Sequence, residues 1–506
     1  MTTNRGTWVL VATIVGSSMA FVDGSAVNVA LPVLQRDLGA SSAAVQWVIE
    51  GYALFLSALL LVGGSLGDLF GRRLVFGAGI VVFAAASIVC GFATGIDMLV
   101  AARCVQGIGA ALAVPGSLAL ISANFDAAER GRAIGTWSGF SAMTGALGPV
   151  LGGILAQHVS WRAVFFINVP LAVLALLALR GVNESRDADA RRIDVQGALL
   201  ATLALGALVY GCIALQGSIA DAIGLAAVGV GATLLLAFVI VERNELDPMV
   251  RMDLFSNRTF SVTNVYTFLL YAALGGGIYF IPFDLIFVQR YTPSAAGASL
   301  LPFIVIMFVL SRFSGGLVAR VGVRLPLVIG GGLAGAGFVL FALSGVGRPY
   351  LTSFFPAAVV LGLGGAAFVA PLTTAVMGSV ASGHAGIASG INNAISRTAG
   401  LLALAVLGIL LAVTFDARLP GALAAAQANP ATVATVVRDR ASAVSGEVPA
   451  ALHDPSDRAA ARRAIDAAYV AAFASVMWTC ALLCWGAAIV ALFALPRSFV
   501  PAAPDG

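Results

Sequence analysis

Lysine is absent from all 506 residues, so each of the 28 basic side chains is an arginine. A phosphate-cradling loop of the Walker type and a lysine imine are both excluded, and the chain cannot draw energy from a nucleotide through such a loop of its own. Charge of either sign is scarce: 10% of the residues carry it, against about 25% in soluble proteins. The three histidines are scattered without metal-ligand spacing. The five cysteines, Cys90, Cys104, Cys212, Cys480 and Cys484, all fall inside apolar runs, which argues against a disulfide framework. With no convincing nucleophile–base set either, an enzyme is not expected, nor a cofactor, a metal or a nucleic-acid partner.

What is abundant is apolar surface, at 60% of the chain. A hydrocarbon core of about 30 Å takes roughly 20 apolar residues per helix, and many such runs alternate with short charged breaks. The expected fold is an all-α integral membrane bundle of two halves with fourteen transmembrane helices, at roughly 8–31, 45–65, 74–93, 98–121, 133–156, 162–180, 195–216, 221–241, 261–286, 298–319, 325–345, 351–377, 391–414 and 468–495. The first run is too long for a secretory leader and lacks a cleavage pattern, so it reads as an uncleaved span. The expected organisation is an N-terminal six-helix half over 1–194, two inserted linker helices over 195–241, a cytoplasmic connector over 242–260 and a C-terminal six-helix half over 261–506. Within the last, 416–466 holds six Arg and six acidic residues and no membrane-length run. It reads as a partly ordered extracytoplasmic loop that tolerates shortening.

Arginine placement sets the orientation. With the N-terminus inside, cytoplasmic segments hold fifteen arginines and the short outer loops four, which puts both termini in the cytoplasm of a multi-pass protein of the cell membrane. An internal repeat is also visible. "GSLGDLFGRR" (64–73) and "GGLVARVGVR" (315–324) share Gly64/Gly315, Leu66/Leu317, Gly71/Gly322 and Arg73/Arg324 at an offset of 251, and repeated halves with a central site are a common transporter plan.

Several motifs carry a family resemblance. "GSLGDLFGRR" resembles the loop motif of the major facilitator superfamily. "LVAARCVQGIGAA" (99–111), with Arg103, Gln106, Gly107 and Gly109, is similar to its fourth-helix pattern, and "GALGPVLGG" (145–153) to its antiporter motif. "FVDGSAVNVALP" (21–32), "WRAVFFINVP" (161–170) and "GIASGINNAISRTAG" (386–400) resemble the fourteen-helix drug:proton antiporter branch. Two departures stand out: Leu69, where the family usually has a basic residue, and Ala319 in the second loop copy where the first has Asp68. The resemblance implies a gating role for Gly64, Asp68, Gly71, Arg72 and Arg73, the glycines letting the backbone turn and pack closely. It makes the fifth helix a bent interface helix shaped by Gly145, Gly148, Pro149, Gly152 and Gly153. "GGGLAG" (330–335) fits a dinucleotide fingerprint only formally, since no strand precedes it; it reads as small-residue packing.

Charges inside apolar runs are functional candidates, because each costs about 2.5–3.5 kcal/mol or more at the bilayer centre. At 1.5 Å per residue, Asp23 lies about 12 Å below the outer end of the first helix and Arg103 about 8 Å below that of the fourth. Opposite charges at similar depth suggest a pair. Glu50, Asp284, Asn392 and Asn393 are candidates for a substrate cavity, while Arg312 and Arg397 read as snorkelling to the cytoplasmic face.

Together these features imply a proton-coupled efflux carrier of the cell membrane working by alternating access. Asp23 would be the proton switch and Arg103 its modulator. The family's substrates are lipophilic drugs, antibiotics and dyes, often cationic; the other partners are protons and the lipid bilayer, and a monomer is expected. Two alternatives stay open: a proton-coupled symporter or facilitator of a small metabolite, and a non-transporting membrane receptor or assembly partner.

Overall fold

Side-chain caps fix where many of the helices begin. In the computed structural model, Ser41, Asp221, Asn257, Thr292, Asn429 and Asp454 each accept a hydrogen bond from a backbone N–H one to two residues into the helix they precede. Pro293, Pro430 and Pro455 follow three of these caps, where a missing N–H costs nothing. The structure describes residues 4–125, 127–186, 194–215, 221–245, 248, 250, 252–307, 309–310, 321–380, 385–444 and 446–496, with backbone only at 4, 5, 42, 122, 377, 441 and several positions within 127–146 and 385–389. Arg312, Ala319 and most of the second loop copy lie outside the described residues.

In chain order the helices are α1 (Asn4–Leu38), α2 (Ser42–Phe70), α3 (Arg72–Gly91), α4 (Ile96–Asn124), α5 (Ala127–His158), α6 (Ala163–Leu179), α7 (Val195–Leu215), α8 (Ala222–Asn244) and α9 (Arg258–Phe283). They continue with α10 (Pro293–Met307), α11 (Arg324–Ala342), α12 (Phe354–Gly378), α13 (Ala385–Ala425), α14 (Pro430–Arg438), α15 (Arg440–Val444) and α16 (Pro455–Ala494). No strand occurs among the described residues. Eleven of the described helices are long and apolar enough to cross a membrane, which makes this a multi-pass membrane protein. The helices α6 and α10 are shorter apolar segments.

Small residues bring the helices together. A Cβ on Gly63 of α2 would run into the Ala111 carbonyl of α4, and one on Gly107 of α4 into the Tyr52 carbonyl of α2. In α11, Gly330 faces Phe368, Gly331 faces Cys484 and Gly335 faces Trp485, so "GGGLAG" is indeed a packing surface. Between α2 and α3, Gly71 has φ 119°, a conformation that favours glycine.

The segment 416–466 differs from the partly ordered loop that its composition suggested. Helix α13 runs on to Ala425, and α14 and α15 fold back as a cap. Leu423, Val436, Ala443 and Leu452 are buried in one core with Phe283, Phe287 and Tyr469. Arg440 grips Asp416 through two hydrogen bonds of 2.5 and 2.7 Å, and Arg462 donates to the Gly446 carbonyl at 2.6 Å. Apolar positions at helical spacing, hidden among alanines and charges, give this cap its core.

Candidate functional site

Asp23 and Arg103 do meet. Both are 0% exposed, and Arg103 Nη1 is paired with Asp23 Oδ2. Their environment is built from five helices. Arg103 Nε donates to the Val48 carbonyl of α2 at 2.8 Å, and its Nη1 also donates to Gln106 Oε1 at 2.7 Å. Two amides hold the other carboxylate oxygen: Gln106 Nε2 at 3.0 Å and Asn168 Nδ2, from α6, at 3.1 Å. Ser87 Oγ of α3 accepts from the same two amides, at 2.8 and 3.4 Å. The guanidinium lies 4.3 Å from the Tyr52 ring centroid and 5.8 Å from that of Phe165. The arrangement surrounds a carboxylate away from water with a guanidinium and two amide donors.

Asn168, Ser87 and Tyr52 escaped the sequence reading. The available signal was weak: a single amide in "FFINVP" and a single hydroxyl in α3 look like ordinary polar residues in apolar helices.

Glu50 and Asp284 stand apart from this cluster. Glu50 is fully buried rather than at an aqueous interface; its Oε1 accepts from Gln46 Nε2 at 3.3 Å and its Oε2 has no partner. Asp284, also fully buried, opens a π turn (Asp284–Val288) that ends α9, and accepts from Gln289 Nε2 at 3.3 Å. Gln289 is tied in turn to Gly345 and Gly347. Both carboxylates are enclosed by protein. Asn392 Nδ2 donates to Asn264 Oδ1 at 3.0 Å and to Thr267 Oγ1 at 2.7 Å on α9, while Asn393 is exposed. Arg397 is partly exposed and lies within electrostatic range of Tyr52 and Tyr271, on α2 and α9.

The loop motif bonds within itself. Asp68 accepts from Arg72 Nε at 2.8 Å, four residues on, and remains partly exposed. The N-terminus of α3 is capped instead by Glu184, whose carboxylate accepts from the Arg73 and Leu74 N–H groups at 2.9 and 3.1 Å. The α5 glycines sit at two seams. Gly148 faces Ser25 and Gly152 the Ala26 carbonyl of α1, while Gly153 faces the Pro293 carbonyl, and the Pro149 carbonyl faces Gly297 of α10. Gly145 makes only ordinary contact with Phe21, and Gly64 with Pro115. At the same end of the bundle, Ser294 N donates to Gln157 Oε1 at 3.2 Å, and Arg36 pairs with Glu447 of the cap at 3.1 Å.

A bundle of membrane-length helices joined by glycine seams, with a buried ion pair in its interior, has the architecture of a membrane carrier. Residues 13–404 match the family model of the Major Facilitator Superfamily, and the chain belongs to that superfamily. Among its relatives, the multidrug resistance protein Stp of Mycobacterium tuberculosis is 36% identical over 434 residues, covering 83% of this chain and 79% of Stp. The tetracenomycin C resistance and export protein of Streptomyces glaucescens is 36% identical over 417 residues, covering 80% of this chain and 75% of the relative. The drug efflux pump JefA of Mycobacterium tuberculosis is 31% identical over 515 residues, 98% of this chain and 99% of JefA. In fold the chain is similar to a bacterial homologue of the human lysosomal transporter Spinster, solved in an inward-facing and unoccupied conformation. The TM-score is 0.65 at 16% identity, covering 99% of this chain and all of that one.

Proposed function

We propose that this protein exports lipophilic drugs or antibiotics across the cell membrane in exchange for protons, by alternating access. The observation that carries the coupling is the Asp23 carboxylate, fully buried and held by Arg103, Gln106 and Asn168. A proton-driven carrier needs a titratable group reached from each side in turn, and movement of α4 against α1 would change how far Arg103 favours the charged form. The names of the relatives, which are resistance and export proteins, support the substrate class.

In this reading the chain crosses fourteen times, α5, α6 and α10 adding to the other eleven spans, as a monomer with both termini in the cytoplasm. Residues 1–194 and 261–506 form the two six-helix halves, and α7 and α8 are the inserted pair. The seams Gly153–Pro293 and Pro149–Gly297 between the halves, with the Arg36–Glu447 pair, close the outer end. Asp68, which accepts from Arg72, serves the inner gate with Arg72 and Arg73 when it shuts. A preference for cations is what the resemblance implies; Glu50 and Asp284, the carboxylates that could serve it, are both enclosed in protein. The cycle involves no covalent chemistry.

The test is Asp23→Asn in proteoliposomes, a change that keeps size and removes the proton site. Uphill export of a drug that the wild type expels should fail, together with drug-dependent proton movement, while downhill exchange persists. Asp23→Asn protein that still exports against a gradient and still moves protons would overturn the coupling.

A further inference from the structure

The proton site leaves one interior cation unexplained. Arg397 is half-buried in α13 and, among the described residues, has neither an ion-pair partner nor a hydrogen bond. Its level in the bundle follows from two fixed points. Gln46 Nε2 of α2 donates to the Leu404 carbonyl of α13 at 3.3 Å. At 1.5 Å per residue, Arg397 lies about 10 Å below Leu404 and Tyr52 about 9 Å below Gln46, so guanidinium and phenol share a level. Tyr271 of α9 is there too, one turn from Gly275, whose Cβ would come within 2.7 Å of Gly400 in α13. Both phenols lie within electrostatic range of Arg397. Tyr52 is 5% exposed, and its hydroxyl is buried without a hydrogen-bond partner.

Among the described residues, no carboxylate pairs with this cation. Asp23 is taken by Arg103, which covers the Tyr52 ring, and Glu50, bonded to Gln46, stands two residues before Tyr52 and so on another face of α2. A half-buried guanidinium, at the level of an unsatisfied hydroxyl and within electrostatic range of it, is a prepared site for an oxyanion, which it can grip with two parallel N–H groups.

We propose that Arg397, with the hydroxyls of Tyr52 and Tyr271, binds the carboxylate of an otherwise lipophilic substrate, so that amphipathic organic acids are among the exported compounds. The proposal rests on the export reading for its consequence but not for its test, which measures binding alone. The wild-type protein in lipid nanodiscs is titrated with dansylaminoundecanoic acid and with its methyl ester. The acid should bind about tenfold more tightly, the effect of one charge-assisted hydrogen bond. Arg397→Gln should erase the difference and leave ester affinity unchanged, which also reports an intact fold; Arg397→Lys should keep part of it, and Tyr52→Phe should reduce it. Equal affinity of acid and ester in the wild type, no binding of either, or an acid preference that survives Arg397→Gln or is undiminished in Arg397→Lys would overturn the site. Failure of export with the acid preference intact would count against the transport reading instead.

Discussion

Asn168 donates its side-chain N–H to Asp23 Oδ1 at 3.1 Å, across 145 residues of sequence. Its own carbonyl oxygen is buried without a partner, so its amide is oriented by what it donates to. A neutral donor on the charged carboxylate adds about 1.5–3 kcal/mol to the ionised form. Asn168→Leu removes that donor, and drug-dependent proton movement should fall by about tenfold or more while downhill exchange of the drug persists. Stopped-flow measurement with a pH-sensitive dye in proteoliposomes reads the loss. An equal reduction of proton movement and of downhill exchange would make Asn168 a packing residue only.

The α5–α10 seam makes a steric prediction. A Cβ on Gly297 would run into the Pro149 carbonyl, and neither backbone can give without moving a helix. Gly297→Val should lower transport by about tenfold with normal amounts in the membrane, because a helix displaced by even an ångström disturbs a packed interface. Gly332→Val is the control, since its Cβ meets nothing within 4 Å. Equal activity of the two variants would remove the seam from the mechanism.

The pairing of Asp23 with Arg103 was legible in the sequence because both depths could be counted along helices from one membrane surface. The same counting left the neighbours of Arg397, Tyr52 and Tyr271, unseen. Depth says nothing of which way a side chain points, and α13 proved to extend to Ala425, well past the end its apolar run suggested. The enclosure of Glu50 was hidden for a related reason: a place near a helix start does not reveal that Gln46 bonds it and ties α2 to α13. The amide and hydroxyl of Asn168 and Ser87 were invisible for want of a partner nearby in sequence. The glycines of α5 signalled close packing, but which helices they meet, α1 and α10, needed three dimensions.

Topology can be checked directly. Asn183, in the linker after α6, and Ala450, in the cap, are both exposed, and the native cysteines are buried or partly buried in helices. In intact cells, Ala450→Cys should react with a membrane-impermeant maleimide, while Asn183→Cys should react only after permeabilisation. External labelling at position 183 would reverse the assigned orientation.

The cap yields a prediction that separates charge from shape. Arg36 and Glu447 form an exposed pair, each about half accessible, and such pairs contribute about 0–1 kcal/mol. Arg36→Ala should therefore change transport by less than about fivefold, with a weaker effect at high salt. Gly446 is different. Its φ of +70° favours glycine, and a Cβ there would meet Phe287 Cβ at 2.7 Å. Phe287 sits in the π turn that also holds Asp284, packed edge-on to Tyr469. Gly446→Val should lift the cap from this seat, lowering the melting temperature by several degrees for about 1–3 kcal/mol of strain. It should also reduce transport more than Arg36→Ala does. If the ion-pair variant proves the more damaging, the cap is held by charge, and its burial against Phe287 is incidental to export.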